Sequence, residues 1–359
     1  MQTQLILAFA MVVVVPLGLR IAARPSTGPT TKLLAPLTKA APIVAIPAIV
    51  SFAFDQGVLA AVLALPWFGF TLVLGVIGAG RLLSRRGPAS SRRFALGTFG
   101  PGIGVDAALA FIVVGGAWLV ISRAGWRPLN FSGAIVELTA VHFHYAGFAL
   151  PILASVVADR LGKGAALPFA VVLGVPITAL GITLDGTIEW FAATFMACVG
   201  FSVAFQTLRL ASRVNGAARI LLRIAGVSLF AGMFLAIGWA WSQEFGWRFL
   251  DIQGMVATHG MLNGFGFALM GLVAINLLPD NFTDRPTQIC VHVGRPSRTR
   301  LAELQIAGSV AETTNPAGIL NGETPPGMHY RQWRKMFAHD DFERAKACLL
   351  YTSPSPRDS

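Results

Sequence analysis

The chain has 359 residues, of which 54% are hydrophobic and only 13% are charged, whereas a soluble globular domain usually carries about a quarter charged residues. Its formal net charge of +11 would suit a soluble nucleic-acid-binding protein, but the Lys and Arg residues lie in short loops between apolar runs. Composition therefore excludes an ordinary soluble domain. It indicates a polytopic protein whose partner is the lipid bilayer and not a nucleic acid.

Nine apolar segments are long enough to cross a membrane as helices, which takes about 20 mainly apolar residues. The second segment is short and contains two prolines, yet the loop charges described next require it. The sequence thus predicts an all-α transmembrane helix bundle. The predicted spans are 4–22, 40–55, 57–80, 102–122, 131–156, 166–184, 188–207, 221–242 and 254–278.

The loop charges predict the orientation of these spans. Loops on one side carry fifteen Lys and Arg residues, and loops on the other side carry three, namely Arg123, Arg127 and Arg248. Cations accumulate in short loops on the cytoplasmic side of a membrane. We therefore expect the N-terminus outside and the C-terminus in the cytoplasm.

The composition becomes mixed and polar after residue 280, which predicts three regions. Residues 1–280 form the transmembrane domain, and residues 281–347 form an incomplete soluble cytoplasmic domain that is too short for a secure core of its own. Residues 348–359 are expected to be an artefactual or disordered tail. Leu349 to Ser359 resemble a translated sequencing-adapter read-through, and the alternative is a Ser/Pro-rich disordered tail.

The fifth predicted helix carries Glu137, His142 and His144. Ionisable side chains inside a membrane helix are costly and therefore indicate function. At about 100° per residue, the two histidines project about 200° apart and cannot share one ligand on the same face. They must serve different neighbours, whereas Glu137 and His144, seven residues apart, return to one face.

The ninth predicted helix carries a second polar group. His259 and Asn263 lie one turn apart on one face. Three nearby glycines permit another helix to approach closely: Gly260, Gly264 and Gly266. We expect this face to be buried against protein, with His259 and Glu137 at similar depth in the outer half of the membrane. For all three histidines the alternative is that the imidazole only fixes helix packing.

Acidic residues lie at the predicted outer helix ends, where Asp185, Glu189, Glu244 and Asp251 accompany Glu137. Together they would make an acidic outer vestibule that favours a cation such as a metal ion, a proton or an amine. The alternative is that these boundary carboxylates are simply solvated. Glu189 begins a helix, where an acid also suits the positive end of the helix dipole.

Two motifs resemble those of the YndJ-like family of bacterial multi-pass membrane proteins. They are Val141-His142-Phe143-His144-Tyr145-Ala146-Gly147-Phe148-Ala149-Leu150-Pro151 and Thr258-His259-Gly260-Met261-Leu262-Asn263-Gly264-Phe265-Gly266. The resemblance covers about residues 1–280 and implies location in the bacterial plasma membrane, but no particular activity. The segment after residue 280 resembles the truncated start of a soluble domain of unknown function that some of these proteins carry.

The segment His142-Phe143-His144-Tyr145 also resembles the His-Phe-His-Tyr segment of haem–copper oxidase subunit I. That resemblance implies haem or a transition metal as a cofactor, with His142, His144 and His259 as candidate ligands. There is no copper-binding histidine set. An oxygen-reducing centre is therefore not expected.

Three functional hypotheses follow. The first is binding or transport of a small molecule or cation at His142, His144, Glu137, His259, Asn263 and Glu189. The second is a haem- or metal-binding redox protein. The third is a membrane scaffold for the C-terminal domain. An enzyme is not favoured, because the sequence carries no nucleophile–base pair, phosphate-binding glycine loop or metalloprotease motif.

Overall fold

The computed structural model describes residues 2–24, 31–84, 100–184, 186–247 and 249–279. Within these ranges the chain forms nine helices long and apolar enough to span a membrane, and no strand. The helices are α1 (Gln2–Ala22), α2 (Thr31–Val50), α3 (Val58–Ser84), α4 (Ile103–Ala124), α5 (Gly133–Arg160), α6 (Ala166–Leu184), α7 (Gly186–Arg213), α8 (Gly216–Phe245) and α9 (Ile252–Leu277). The predicted all-α architecture and all nine spans are confirmed.

The second helix differs most from its predicted limits of 40–55. It begins at Thr31 and continues past Val50 through a 3₁₀ turn, Ser51–Ala53. Three prolines lie inside it: Pro36, Pro42 and Pro47. The prolines lower the apparent helix signal, but a membrane helix tolerates them when neighbours satisfy the freed backbone groups.

Helix α5 lies at the centre of the bundle. Most of its span, 78%, is buried inside the protein, against 22% for α2 and 28% for α8. It contacts α1, α4, α6, α7 and α9. The peripheral helices instead expose large apolar side chains, such as Val76 on α3 and Phe234 on α8, as expected for surfaces that face lipid. The helix with the first polar motif is therefore the best-shielded helix.

Three helices contain π-helical segments, and these segments pack against one another. They are Ala10–Val14 in α1, Tyr145–Ala149 in α5, and Val256–Gly260 with Leu262–Leu269 in α9. A π segment has an extra residue in its turn, is intrinsically rare and occurs frequently at functional sites. The segment in α5 falls inside the first sequence motif, and the segments in α9 overlap the second.

Arginines close the C-terminal ends of several helices, whose last carbonyls have no partner within the helix. The bonds are Arg81 to Ala22 O (3.3 Å), Arg123 to Ser51 O (2.9 Å), Arg24 to Ile275 O (3.0 Å), Arg160 to Pro279 O (3.0 Å) and Arg219 to Val214 O (2.7 Å). A cation also suits the negative end of the helix dipole. Some arginines that indicated the membrane orientation are thus buried helix caps, and the orientation itself stays a prediction.

Several sequence predictions lie outside the described residues. These are the domain 281–347, the tail 348–359, Asp185, Arg248 and the loop arginines Arg85, Arg86, Arg92 and Arg93.

Candidate functional site

His144 is fully buried, and both of its ring nitrogens have protein partners. The indole Nε1–H of Trp67 on α3 donates to His144 Nε2 (2.9 Å), and His144 Nδ1 donates to Ala140 O (2.7 Å). The Trp67 and His144 rings stack with centroids 5.8 Å apart. Gly115 of α4 lies against the imidazole, where a Cβ would stand 2.8 Å from Nδ1. His144 therefore fixes the packing of α3, α4 and α5.

His142 has a different environment, as its position on the opposite face of α5 requires. Its Nδ1 bonds Leu138 O one turn earlier (2.8 Å). The side chain is exposed at the surface of the bundle. Its Nε2 has no hydrogen-bond partner among the described residues.

His259 and Asn263 on α9 form the contact that their spacing predicts. His259 Nδ1 bonds Gly232 O of α8 (2.9 Å), and Asn263 Nδ2 donates to His259 Nε2 (3.0 Å). A Cβ at Gly232 would stand 2.5 Å from Asn263 Oδ1, so α8 approaches closely because this residue is glycine. Asn263 Oδ1 is buried with no hydrogen-bond partner.

His142 and His259 lie close enough to interact electrostatically. His259 and Asn263 are in contact on α9, His142 on α5 lies within electrostatic range of His259, and the two helices contact each other. The structure separates His144 from these residues, because the His144 ring points towards Trp67 on the other side of α5. We call His142, His259 and Asn263 the α5–α9 group.

Tyr145 is a member of this region that sequence reasoning missed. It begins the π segment of α5, and its hydroxyl donates to Ile6 O of α1 (2.9 Å). Its ring lies beside Gly264, where a Cβ would stand 3.4 Å from Tyr145 Cε1. Tyr145 thus joins α1, α5 and α9. Its place directly after the two histidines was a usable signal, since a buried tyrosine hydroxyl usually needs a partner.

Glu137 occupies a neighbouring position at the N-terminal end of α5. Its carboxylate accepts a hydrogen bond from the Thr3 hydroxyl of α1. It is also within electrostatic range of Arg123 on α4. On a helical projection, Glu137 and His142 are about 140° apart. They therefore lie on different sides of α5.

Glu189 belongs to another part of the bundle. It lies in the first turn of α7, and its backbone packs against Gly181 of α6. The adjoining Trp190 packs with Trp241 and Phe245 of α8, and Glu244 accepts a bond from Thr187 (3.1 Å). Aromatic clusters of this kind are typical of membrane–water interfaces. Glu189 is thus on α7, whereas the α5–α9 group lies on two other helices.

The histidines do not fit a bis-histidine haem as they are arranged. A histidine ligand needs a free ring nitrogen, but both nitrogens of His144 and of His259 already bond protein groups. Only His142 retains one. Within the described residues, no three His, Cys, Asp or Glu side chains come together as a potential metal centre.

A buried ion pair between α3 and α4 also escaped the sequence analysis. Arg81 Nε and Asp106 Oδ1 are 2.6 Å apart, and the two side chains are 2% and 0% exposed. The signal was available, because Asp106 is an acid inside the predicted span 102–122. Because Asp106 pairs with Arg81, it links α3 to α4 and is not part of the α5–α9 group.

Comparison with known proteins places both motifs in a recognised family. A family model described as YndJ-like protein matches residues 5–267. A relative from Bacillus subtilis (strain 168), named "Uncharacterized membrane protein YndJ", is 28% identical over 173 residues. The match covers 46% of this chain but 31% of the relative, so the chain matches less than a third of the relative's length. No solved structure matches the chain.

Proposed function

This chain belongs to the YndJ-like family, and we propose that it binds a small polar molecule or a cation in a crevice between α5 and α9. His142 contacts the ligand in this proposal. His259 of α9 lies within electrostatic range of His142, and Tyr145 joins α1 to both helices. The site would open towards the outer side of a bacterial plasma membrane.

One observation carries the proposal. Of the three histidines inside the spans, only His142 is exposed and has a ring nitrogen without a partner. A polar group within a membrane protein is expensive unless another group satisfies it. His144 and His259 meet that requirement through bonds to protein groups, which explains their presence by packing. For His142, a bound ligand satisfies the ring nitrogen instead.

The π-helical segments support the same location. They occur in α1, α5 and α9 where these helices contact one another, and two of the three helices carry the polar motifs. A π segment shifts the register of the side chains that follow it and occurs frequently at functional sites. Transport is the finer form of the proposal, since helices interrupted near a central polar site are typical of transporters.

Water access to His142 tests the crevice. In a background where Cys198, Cys290 and Cys348 are Ser, we expect the variant H142C to react with a charged, membrane-impermeant thiol reagent. V136C, at a buried position of α5, and V73C, at a lipid-facing position of α3, are the matched controls. Reaction of H142C that is no faster than that of V136C and V73C would overturn the proposal.

A further inference from the structure

We infer that the ligand of the α5–α9 crevice is a hydrogen-bond donor, and specifically a small ammonium-type cation rather than an anion. The inference rests on the proposed function and deepens it. It follows from counting which hydrogen-bonding groups near the crevice are already used and which are left.

The two histidines are fixed in one tautomer by backbone carbonyls. A carbonyl can only accept, so Nδ1 carries the hydrogen both in His142, which bonds Leu138 O, and in His259, which bonds Gly232 O. In a neutral imidazole the other nitrogen is then an acceptor. His142 Nε2 therefore presents a lone pair to the crevice.

Three further donors at the contacts of α1, α5 and α9 are also used. The Tyr145 hydroxyl donates to Ile6 O (2.9 Å), and the Thr258 hydroxyl donates to Gly254 O (2.7 Å). The Thr3 hydroxyl donates to Glu137. Each of these donors meets a group that only accepts.

Asn263 completes the count. Because His259 Nε2 is an acceptor, Asn263 must turn its amide Nδ2 towards it, which leaves Oδ1 on the other side. That oxygen is buried without a partner. That oxygen lies against Gly232 of α8, so the group left over at the contact of α5 with α9 is the acceptor His142 Nε2.

An unpaired acceptor favours a ligand that donates a hydrogen bond over one that carries a negative charge. An anion would place its own lone pairs against His142 Nε2 and would lose its hydration without compensation. An N–H-bearing cation supplies the missing donor, and the carboxylate of Glu137 on the same helix adds a favourable charge.

Titration calorimetry on the purified full chain tests the inference with methylammonium chloride as the probe. Sodium formate at equal ionic strength is the anionic counterpart. We expect methylammonium to bind and formate not to bind. His142→Ala should weaken methylammonium binding by roughly ten- to a hundredfold, the effect of removing a hydrogen bond to a charged group. His142→Gln retains a side-chain acceptor and should recover part of the affinity, and Val73→Ala should bind as the parent does.

The outcomes separate the inference from the proposed function. Formate binding that His142→Ala abolishes would overturn the inference and leave a ligand site at His142. Equal methylammonium binding by the parent and His142→Ala would also overturn it. If neither probe binds while H142C reacts with the thiol reagent, the inference fails although the crevice exists. If neither binds and H142C does not react, both fail.

Discussion

The indole N–H of Trp67 on α3 donates to Nε2 of His144 on α5 across 2.9 Å, in the buried centre of the bundle. The two histidines of the first sequence motif therefore have different environments. His144 holds neighbouring helices together, whereas Nε2 of His142, two residues earlier, has no partner among the residues that the structure describes.

Trp67→Phe should destabilise the protein. It removes the donor and leaves His144 Nε2 as a buried acceptor without a partner, at a cost of about 1–3 kcal/mol. Trp190→Phe is the matched control, because the Trp190 indole N–H is buried and has no partner to lose. Unfolding of the purified variants in mixed micelles measures both free energies. An equal loss in the two variants would show that ring size, and not the hydrogen bond, matters.

Replacing either partner of the Arg81–Asp106 ion pair should lower the free energy of unfolding. Arg81→Met or Asp106→Leu leaves one buried charge uncompensated, which typically costs about 3–5 kcal/mol. The double variant should be closer to the parent than either single variant, since it buries no charge. The exposed Arg209→Met is the control. Additive losses in the double variant would argue against direct coupling, and the same unfolding measurement detects them.

Two glycines of α3 should respond differently to alanine. At Gly78 a Cβ would lie 2.6 Å from Ala110 N and from Asp106 O, both backbone atoms of α4 that cannot move aside easily. At Gly80 nothing lies within 4 Å. We expect Gly78→Ala to cost about 1–3 kcal/mol through overpacking and Gly80→Ala to be neutral. Thermal unfolding in detergent tests the pair, and similar melting temperatures would contradict the close contact of α3 with α4.

Arg123→Lys should loosen the end of α2. The guanidinium donates to Ser51 O and Phe54 O from a buried position, and a lysine ammonium cannot reproduce its planar geometry. We expect a loss of about 1.5–3 kcal/mol, as for the loss of a hydrogen bond from a charged group. Arg127→Lys, at an exposed position, should change stability by less than about 0.5 kcal/mol. Hydrogen exchange at residues 48–54 should rise only in the first variant.

The predicted orientation has a direct test. In intact cells producing the cysteine-free background, Arg127→Cys in the α4–α5 loop should react with an impermeant maleimide. Lys163→Cys in the α5–α6 loop should react only after the cells are opened. Both positions are exposed, so accessibility of the side chain does not distinguish them. The reverse pattern would place the N-terminus in the cytoplasm.

The nine spans could be predicted from the sequence, whereas most side-chain partners could not. The nine helices were predictable because a run of apolar residues is a local property and only a helix satisfies its own backbone in lipid. The opposed faces of His142 and His144, and the contact of His259 with Asn263, also followed from helical geometry alone. In contrast, the partners Trp67 and Gly232 are far away in sequence, and no spacing rule points to them.

The sequence by itself determined that the chain is a helical membrane protein with polar groups concentrated on two helices, since composition and helical period are local quantities. Tertiary structure decided which of those groups are already satisfied. His144 and His259 are equivalent in the sequence to His142 as candidates, but a distant helix supplies a partner for one ring nitrogen of each, α3 for His144 and α8 for His259. A hydrogen bond needs its two partners within about 3 Å, and helices distant in the chain meet that condition only once the bundle has packed.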